Sequence, residues 1–339
     1  MSTIHDVARV AGVGVGTVSR HLNGTAVRPA TAARIERAIG QLGFVANRAA
    51  RGLARGRLPT IAVLIPYVTQ PSAVERVRGV LDAARGTGLP VSLYDVERPE
   101  HLTAHLHALC GDLRPEGLLV VSLTLGPTQV AALDAAEVRT VFLDAQQPGH
   151  ANLVVDDVAG GRLATEHLIS LGHTRIAFLG DREDSALRFT SSALRRRGYR
   201  EAMASAGLSV GPGNESLGEH GAEPAAEQAR ALLGRADPPS AVVAASDTQA
   251  LGVLRAAREA GVRVPVECSV LGFDDIEAAA SSGLSTVRQP LAEMSARAVD
   301  LLTGAAARTG CDDQGSTEVF DLTVVQRGTT GPPADPARG

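Results

Sequence analysis

Apolar residues in Ile4-His5-Asp6-Val7-Ala8-Arg9-Val10-Ala11 fall at 4, 7, 8 and 11, the spacing of one helical face, with Thr3 placed to cap it. Gly12-Val13-Gly14 interrupts that pattern. The next segment, Val15 to Asn23, sets Val18 and Leu22 on an inner face and turns Gly16, Ser19, Arg20 and Asn23 outward. Two short helices joined by a glycine-containing turn, the second showing small, hydroxyl and Arg side chains, predict a helix-turn-helix. A third helix is expected from about Thr31 to Leu42, with Ile35, Ile39 and Leu42 on one face. Pro29 suits its first turn, whereas Arg28 stands where a hydroxyl cap would be better by ~1 kcal/mol.

From Thr60 onward the pattern changes. Aliphatic runs at Ile61–Ile65, Val91–Tyr94, Gly117–Val121, Thr140–Leu143, Ile176–Leu179, Ala241–Ala244 and Ser269–Gly272 read as strands. Helical stretches such as Ala73–Arg85, Ala159–Leu171, Leu194–Ala206 and Thr248–Ala260 lie between them. Nearly continuous apolar strands separated by helices imply parallel sheets covered on both faces. Seven such strands over so long a stretch suit two lobes better than one sheet.

Charge sharpens this division. The 339 residues carry a net charge of −4. Residues 1–57 hold nine Arg against Asp6 and Glu36, a net +7, so a small basic head precedes an acidic body. A polyanion is the expected partner of such a head. Every one of the 33 basic residues is Arg, which reflects codon usage before chemistry. With 44% hydrophobic residues and no Trp, the cores must be aliphatic. No apolar run approaches the ~18 to 20 residues of a membrane helix, and the N-terminus lacks the basic-then-apolar layout of a signal peptide. A cytoplasmic protein is expected. Cys110, Cys268 and Cys311 are dispersed, so neither a disulfide framework nor a metal site is expected. Gly12-Val13-Gly14-Val15-Gly16 invites a dinucleotide-loop reading, but that fingerprint needs a preceding strand and here a helix precedes it.

An ordered set of motifs goes further. Thr3-Ile4-His5-Asp6-Val7-Ala8, Ala11-Gly12-Val13, Thr17-Val18-Ser19-Arg20, Leu22-Asn23-Gly24, Leu42-Gly43-Phe44 with Asn47, and Ala49-Ala50-Arg51-Gly52-Leu53 resemble the headpiece and hinge of the LacI/GalR (lactose-repressor) family. Later stretches, among them Gly160-Gly161-Arg162, Ser246-Asp247, Gly272-Phe273-Asp274-Asp275 and Gln289-Pro290, extend the resemblance to residue 328. It implies an all-α helix-turn-helix headpiece (1–46), a hinge helix and linker (47–58) and an α/β periplasmic-binding-protein-like body of two Rossmann-like lobes (59–328). A Gly- and Pro-rich tail (329–339) is expected to be disordered.

By the same resemblance, Val15, Gly16 and Arg20 read base edges, Arg20 being suited to a guanine. Thr3, Thr17, Ser19 and Asn23 are placed for phosphate oxygens, the bland alternative being capping and helix solvation. The hinge, marginal as an isolated helix, would enter the minor groove with Arg51, Leu53 and Ala54 when two subunits pair. Ser72, Asp144, Arg195, Ser246, Asp274 and Gln289 match the family's effector-contacting positions, and charged groups facing hydroxyls suit a sugar or related polyol. Two departures stand out. Gln70-Pro71-Ser72-Ala73 replaces a loop in which relatives carry two Phe, and Ser246 replaces a common Asn. Arg195 and Asp274 could contact a ligand from opposite sides of the cleft or form an ion pair that holds the lobes together. The functional expectation is a ligand-responsive repressor acting as a homodimer on a pseudo-palindromic DNA operator, with no cofactor, metal or membrane partner. A sugar-binding module without DNA activity fits the basic head poorly. A metabolic enzyme lacks any recognisable catalytic constellation: adjacent acids such as Asp156-Asp157 and Asp274-Asp275 would face opposite ways on a strand. His167 and His173 read as structural.

Overall fold

A computed structural model of the chain describes residues 2–22, 26–44, 57–183, 186, 187, 189–304 and 315–334. The chain divides into two compact units, Met1–Pro59 and Thr60–Gly339.

The first unit is helical: α1 (Ile4–Ala11), α2 (Val15–Leu22) and α3 (Pro29–Leu42). Thr3 begins α1 with a capping box. Its hydroxyl accepts from the Asp6 amide at 3.3 Å, and the Asp6 carboxylate accepts from the Thr3 amide at 3.0 Å. Such caps stabilise a helix by ~1 kcal/mol. Gly12, at φ 64, ends α1 in the left-handed conformation that glycine adopts without strain. Val7, Ala8, Ala11, Val18, Ile35 and Ala38 form the buried core, with Leu22, Ile39 and Leu42 packed around it. α3 starts at Pro29, earlier than its apolar pattern suggests, and Arg28 makes no side-chain cap.

The second unit holds two six-stranded sheets. The first runs, in spatial order, β11 (Thr317–Phe320), β5 (Ala151–Val155), β4 (Thr140–Leu143), β3 (Pro115–Val121), β1 (Leu58–Pro66) and β2 (Val91–Val96). The second runs β12 (Thr323–Val325), β10 (Ser285–Arg288), β9 (Ser269–Asp274), β8 (Ala241–Ala244), β6 (Ile176–Asp181) and β7 (Glu215–Gly218). Neighbours β3/β4, β4/β5, β8/β9 and β9/β10 are parallel, while β10/β12 is antiparallel. β5, β7, β10, β11 and β12 were not expected from the apolar runs. β7 and β12 are edge strands, β11 is exposed at alternate positions, and Asn152 and Thr286 interrupt β5 and β10 with polar groups.

Both faces of each sheet are covered. Val63, Leu119 and Val141 pack against Val80, Met294 and Ala298 of the helices Pro71–Arg85 and Leu291–Thr303. On the opposite face, Leu64, Leu118 and Phe142 meet Leu106 and Leu133, and Leu187 joins them from the chain that follows β6. In the second sheet, Leu179, Val242 and Val270 pack against Ala226, Val253 and Ala256, while Phe178, Val243 and Phe273 meet Leu168 and Tyr199. The chain therefore crosses between lobes after β5, after β10 and again after β11.

The helices Asp157–Ser170 and Ser191–Ser205 nearly touch. A Cβ on Gly161 would lie 2.0 Å from the Arg195 carbonyl oxygen, and one on Gly198 would lie 2.0 Å from that of Val158. This backbone contact sets Arg195 beside Asp157.

The beginning of the tail, expected to be disordered, is packed. Thr329 and Thr330 are buried. The Val270 amide donates to the Thr329 carbonyl at 2.8 Å, and the Ser285 amide donates to the Thr329 hydroxyl at 2.8 Å. The Gly331 amide donates to Ser269 Oγ at 3.1 Å, and the Gly331 carbonyl lies 2.9 Å from His173 Nε2. These residues satisfy backbone groups that strands β9 and β10 would otherwise bury unpaired, a need invisible in Gly- and Pro-rich composition. Among the described residues no helix is long and apolar enough to cross a membrane.

Candidate functional site

On the head, Val15 opens α2 half-buried, and Gly16 is exposed with nothing within 4 Å of where a Cβ would stand. Exposed Arg20 folds back along the helix, its Nε donating to the Gly16 carbonyl and a terminal nitrogen to the Thr17 hydroxyl, both at 3.4 Å. Bonds of that length are weak and cost little to exchange for another acceptor. Thr17 and Ser19 are half-buried on the same helix. The Thr3 hydroxyl is engaged in the α1 cap, as the bland alternative had it. His21 Nε2 lies 2.6 Å from Glu36 Oε1 and ties α2 to α3. Asn23, Arg51, Leu53 and Ala54 lie outside the described residues.

In the body, the strands' C-terminal ends meet at a cleft. A cavity of about 570 Å³ is lined by Ser72, Arg76, Arg195, Ser246 and Asp274, among others. A second, of about 350 Å³, is lined by Asp144, Asp157, Arg195 and Gln289. Arg76, Ser122, Phe189, Ser191 and Arg195 belong to both walls, so the two adjoin. Several residues ending strands here have positive φ: Tyr67 (47), Ser122 (51), Asp144 (54) and Asp274 (117). Asp274 is the most strained, in a region that glycine alone adopts readily. Its carbonyl accepts from the Gln289 amide at 3.3 Å and its carboxylate from Gln289 Nε2 at 2.6 Å, which holds it there.

The charges are arranged in two sets. From the first lobe, Arg76 Nε donates to Asp144 Oδ2 at 2.5 Å, and Arg76 also donates to the Ser72 carbonyl at 2.9 Å. From the second, Arg195 donates to Asp157 Oδ1 at 2.7 Å and to the Ala245 carbonyl at 2.6 Å. It lies 3.8 Å from Asp274 Oδ1 and 3.6 Å over the Phe273 ring centre. Arg195 and Asp274 thus share one lobe, so neither an opposed grip on a ligand nor an ion pair between lobes applies to them. Burial pushes the Asp157 and Asp274 carboxyls up, against the pull of Arg195. Burial also works against the Arg195 charge, but the carboxylates of Asp157 and Asp274 outweigh it and raise its pKa. Asp144 Oδ1 and Gln289 Oε1 are buried and have no hydrogen-bond partner among the described residues. Buried acceptors left this way cost stability unless something donates to them.

Two profiles match the chain, that of bacterial regulatory proteins of the lacI family over residues 3–47 and that of a periplasmic binding protein-like domain over 165–330. The ribose operon repressor of Escherichia coli (strain K12) is 36% identical over 309 residues, 89% of this chain and 92% of that one. This chain belongs to the LacI family. Another LacI-family relative is the HTH-type transcriptional regulator CelR of Thermobifida fusca, 34% identical with 89% of this chain and 92% of that one covered. Among solved structures, a CelR–cellobiose complex matches with a TM-score of 0.70 at 30% identity, covering 97% and 100% of the two chains. The Lac repressor dimer bound to operator and the anti-inducer ONPF matches at 0.77 and 29%, covering 97% and 99%. The headpiece and two-lobed body are those of a LacI-family DNA-binding transcriptional regulator.

All six residues matched to effector positions line one cavity or the other. They differ in what they have left to offer. Ser246 caps the helix Asp247–Glu259, accepting from the Gln249 amide at 3.3 Å and donating to its side chain at 3.1 Å, so its hydroxyl is already engaged. Sequence reasoning missed Arg76, Asp157 and Phe189. Arg76 lies on the amphipathic helix after β1, where an Arg reads as surface, yet it is only 7% exposed. Asp157 opens a helix and reads as a first-turn charge. Asp181 Oδ1, which accepts from Gln249 at 2.8 Å and lies 3.2 Å from His220 Nδ1, was also missed. Burial opposes a proton on His220, but its bond to Asp181 outweighs that and raises the pKa.

Proposed function

We propose that this regulator is a repressor that binds a pseudo-palindromic operator as a homodimer, and that a sugar or related polyol in the cleft sets its DNA affinity. Base reading falls to Val15, Gly16 and Arg20, and phosphate contact to Thr3, Thr17, Ser19 and Asn23. The minor-groove hinge falls to Arg51, Leu53 and Ala54, and effector binding to Ser72, Asp144, Arg195, Ser246, Asp274 and Gln289. The observation that carries the ligand reading is the cleft itself, where one cavity wall brings the polar side chains of Asp144, Arg195 and Gln289 together. The similarity to a Lac repressor dimer on operator and to a cellobiose-bound CelR supports the DNA and sugar halves. Such a protein works in the cytoplasm, where the chromosome is, and it works by binding: the cleft arginines hold Asp144 and Asp157 in ion pairs rather than leaving them poised as bases.

The test selects an operator from random duplex DNA with the full chain and measures affinity by fluorescence anisotropy with and without a panel of mono- and disaccharides. A palindromic consensus whose affinity changes with at least one sugar is expected. Sequence-independent binding would overturn the repressor reading, and indifference to every sugar would overturn the effector reading.

A further inference from the structure

On the second lobe a chain of polar side chains runs out to the cavity. Ser246 Oγ donates to Gln249 Oε1 at 3.1 Å, Gln249 Nε2 donates to Asp181 Oδ1 at 2.8 Å, and that same oxygen lies 3.2 Å from His220 Nδ1. Three separate elements supply it: Asp181 ends β6, Gln249 lies in the first turn of the helix Asp247–Glu259, and His220 follows β7. Gln249 is buried and gives the carboxylate a fixed seat. His220 is the open end, since it lines the larger cavity with 41% of its side chain exposed.

The pairing assigns each ring nitrogen its role. An ionised carboxylate only accepts, so Nδ1 carries a hydrogen and donates it to Asp181. Nε2 stands on the ring's other edge and has no partner among the described residues. A neutral ring offers a lone pair there, and a protonated ring offers an N–H instead. The charges around the ring come from several elements. Asp181 from β6 and Asp274 from β9 favour the proton, and Arg195 from the helix Ser191–Ser205 opposes it. Neighbouring Glu219 is held by Arg182 at 3.3 Å and Glu183 by Arg196, while Arg76, on the first lobe's side of the cavity, is paired with Asp144. Burial works against a proton on His220, but its bond to Asp181 and the Asp181 charge outweigh that and raise the pKa.

We infer that His220 makes ligand binding in the cleft proton-dependent: with the ring protonated Nε2–H donates to a ligand oxygen, and without the proton the same atom can only accept. This rests on the effector reading above and adds its regulation. A hydrogen bond from imidazolium to a hydroxyl oxygen is charge-assisted and stronger than one that neutral Nε2 accepts, so the protonated protein binds more tightly. Affinity therefore falls as the pH rises through the His220 pKa, and binding in that interval takes up protons. Asp181 is the positioning residue, because it sets the tautomer and holds the proton.

The full-length wild type, His220→Gln and Asp181→Asn are titrated by calorimetry with cellobiose, ribose and galactose in a series from about pH 5.5 to about pH 8.5, each in two buffers of different ionisation enthalpy. Circular dichroism melts verify that each variant folds. At least one sugar is expected to bind the wild type, to weaken about fivefold across the series, and to bind with proton uptake. His220→Gln, whose amide does not titrate, is expected to lack both the fall and the uptake. Any other group that titrates in this range is common to both proteins, so their difference isolates the imidazole. Asp181→Asn keeps the ring and removes the charge, so its fall in affinity should move to lower pH. If a sugar binds and His220→Gln weakens as the wild type does, or if the wild type is flat across the series, the inference is wrong while the effector reading stands. If Asp181→Asn titrates where the wild type does, the positioning role is wrong. If none of the three sugars binds, the effector reading falls and this inference with it.

Discussion

Asp247 has no exposed surface, yet it is a carboxyl whose donors include Thr286 Oγ1 at 2.6 Å and the Ile276 amide at 3.0 Å. Burial first, and the nearby Asp274 charge second, push its pKa from the usual 3.8 to about 7. A carboxyl that holds its proton more tightly when folded stabilises the fold at low pH. That contribution is complete below about 3.8 and is lost as the pH rises through about 7. Asp247→Asn keeps the shape and both contacts once the Thr286 hydroxyl turns. Urea unfolding at about pH 5 and about pH 7.5 should show the wild type losing stability across that interval relative to the variant. Parallel losses would mean that Asp247 is ionised in the folded protein throughout. On the head, Arg20 is the long donor on the outer face of α2. Arg20→Ala should cost ~1 to 3 kcal/mol on operator and relax preference at one base pair of each half-site. Equal losses on operator and random duplex would remove its base-reading role.

Between elements, glycine decides what meets what. Gly198 lets Ser191–Ser205 lie against Asp157–Ser170, and Gly161 lets Arg195 sit where its backbone would otherwise collide. Gly198→Ala pushes the helices apart and loosens the Arg195–Asp157 pair, at an expected ~1 to 3 kcal/mol or more, seen as a lower body melting temperature. Gly40→Ala in α3 meets open space and should instead stabilise the head by ~0.5 to 1 kcal/mol. Melting temperatures that move together in both variants would show that the close approach is not rigid. The same scale explains which elements were legible. α1 repeats at helical spacing, and β1, β3 and β9 carry unbroken runs without a polar side chain, Ile61–Ile65, Gly117–Val121 and Val270–Phe273, because both sheet faces are covered. β7, with Glu215-Ser216-Leu217-Gly218, is a strand only because β6 lies beside it.

For the whole molecule, the three crossings make the cleft, and the end of the described chain helps to hold the second lobe. Deleting residues 328–339 removes the Thr329 and Gly331 partners of Val270, Ser285, Ser269 and His173. Deleting only 335–339 leaves each of those bonds in place. The first truncation should lower the melting temperature by several degrees and the second should not, as read by calorimetry on both proteins. Equal stability would mean that the packed segment contributes nothing. An exposed ion pair, Arg78 with Glu277 at 3.2 Å, also spans the lobes, but at that exposure it contributes little.

The sequence by itself determined the helix-turn-helix head, the alternation of strand and helix in the body, the family, and six residues that line the cleft. These are carried by short-range periodicity and by runs of adjacent residues, which need no knowledge of distant partners. Tertiary structure alone decided that Arg76 meets Asp144, that Arg195 binds Asp157 rather than gripping across the cleft, and that Phe189 crosses to the other lobe. It also decided that Thr329 and Thr330 are interior. The reason is common to all four. Burial and pairing are properties of where the chain returns, and a side chain's local pattern carries no record of the segment that will cover it.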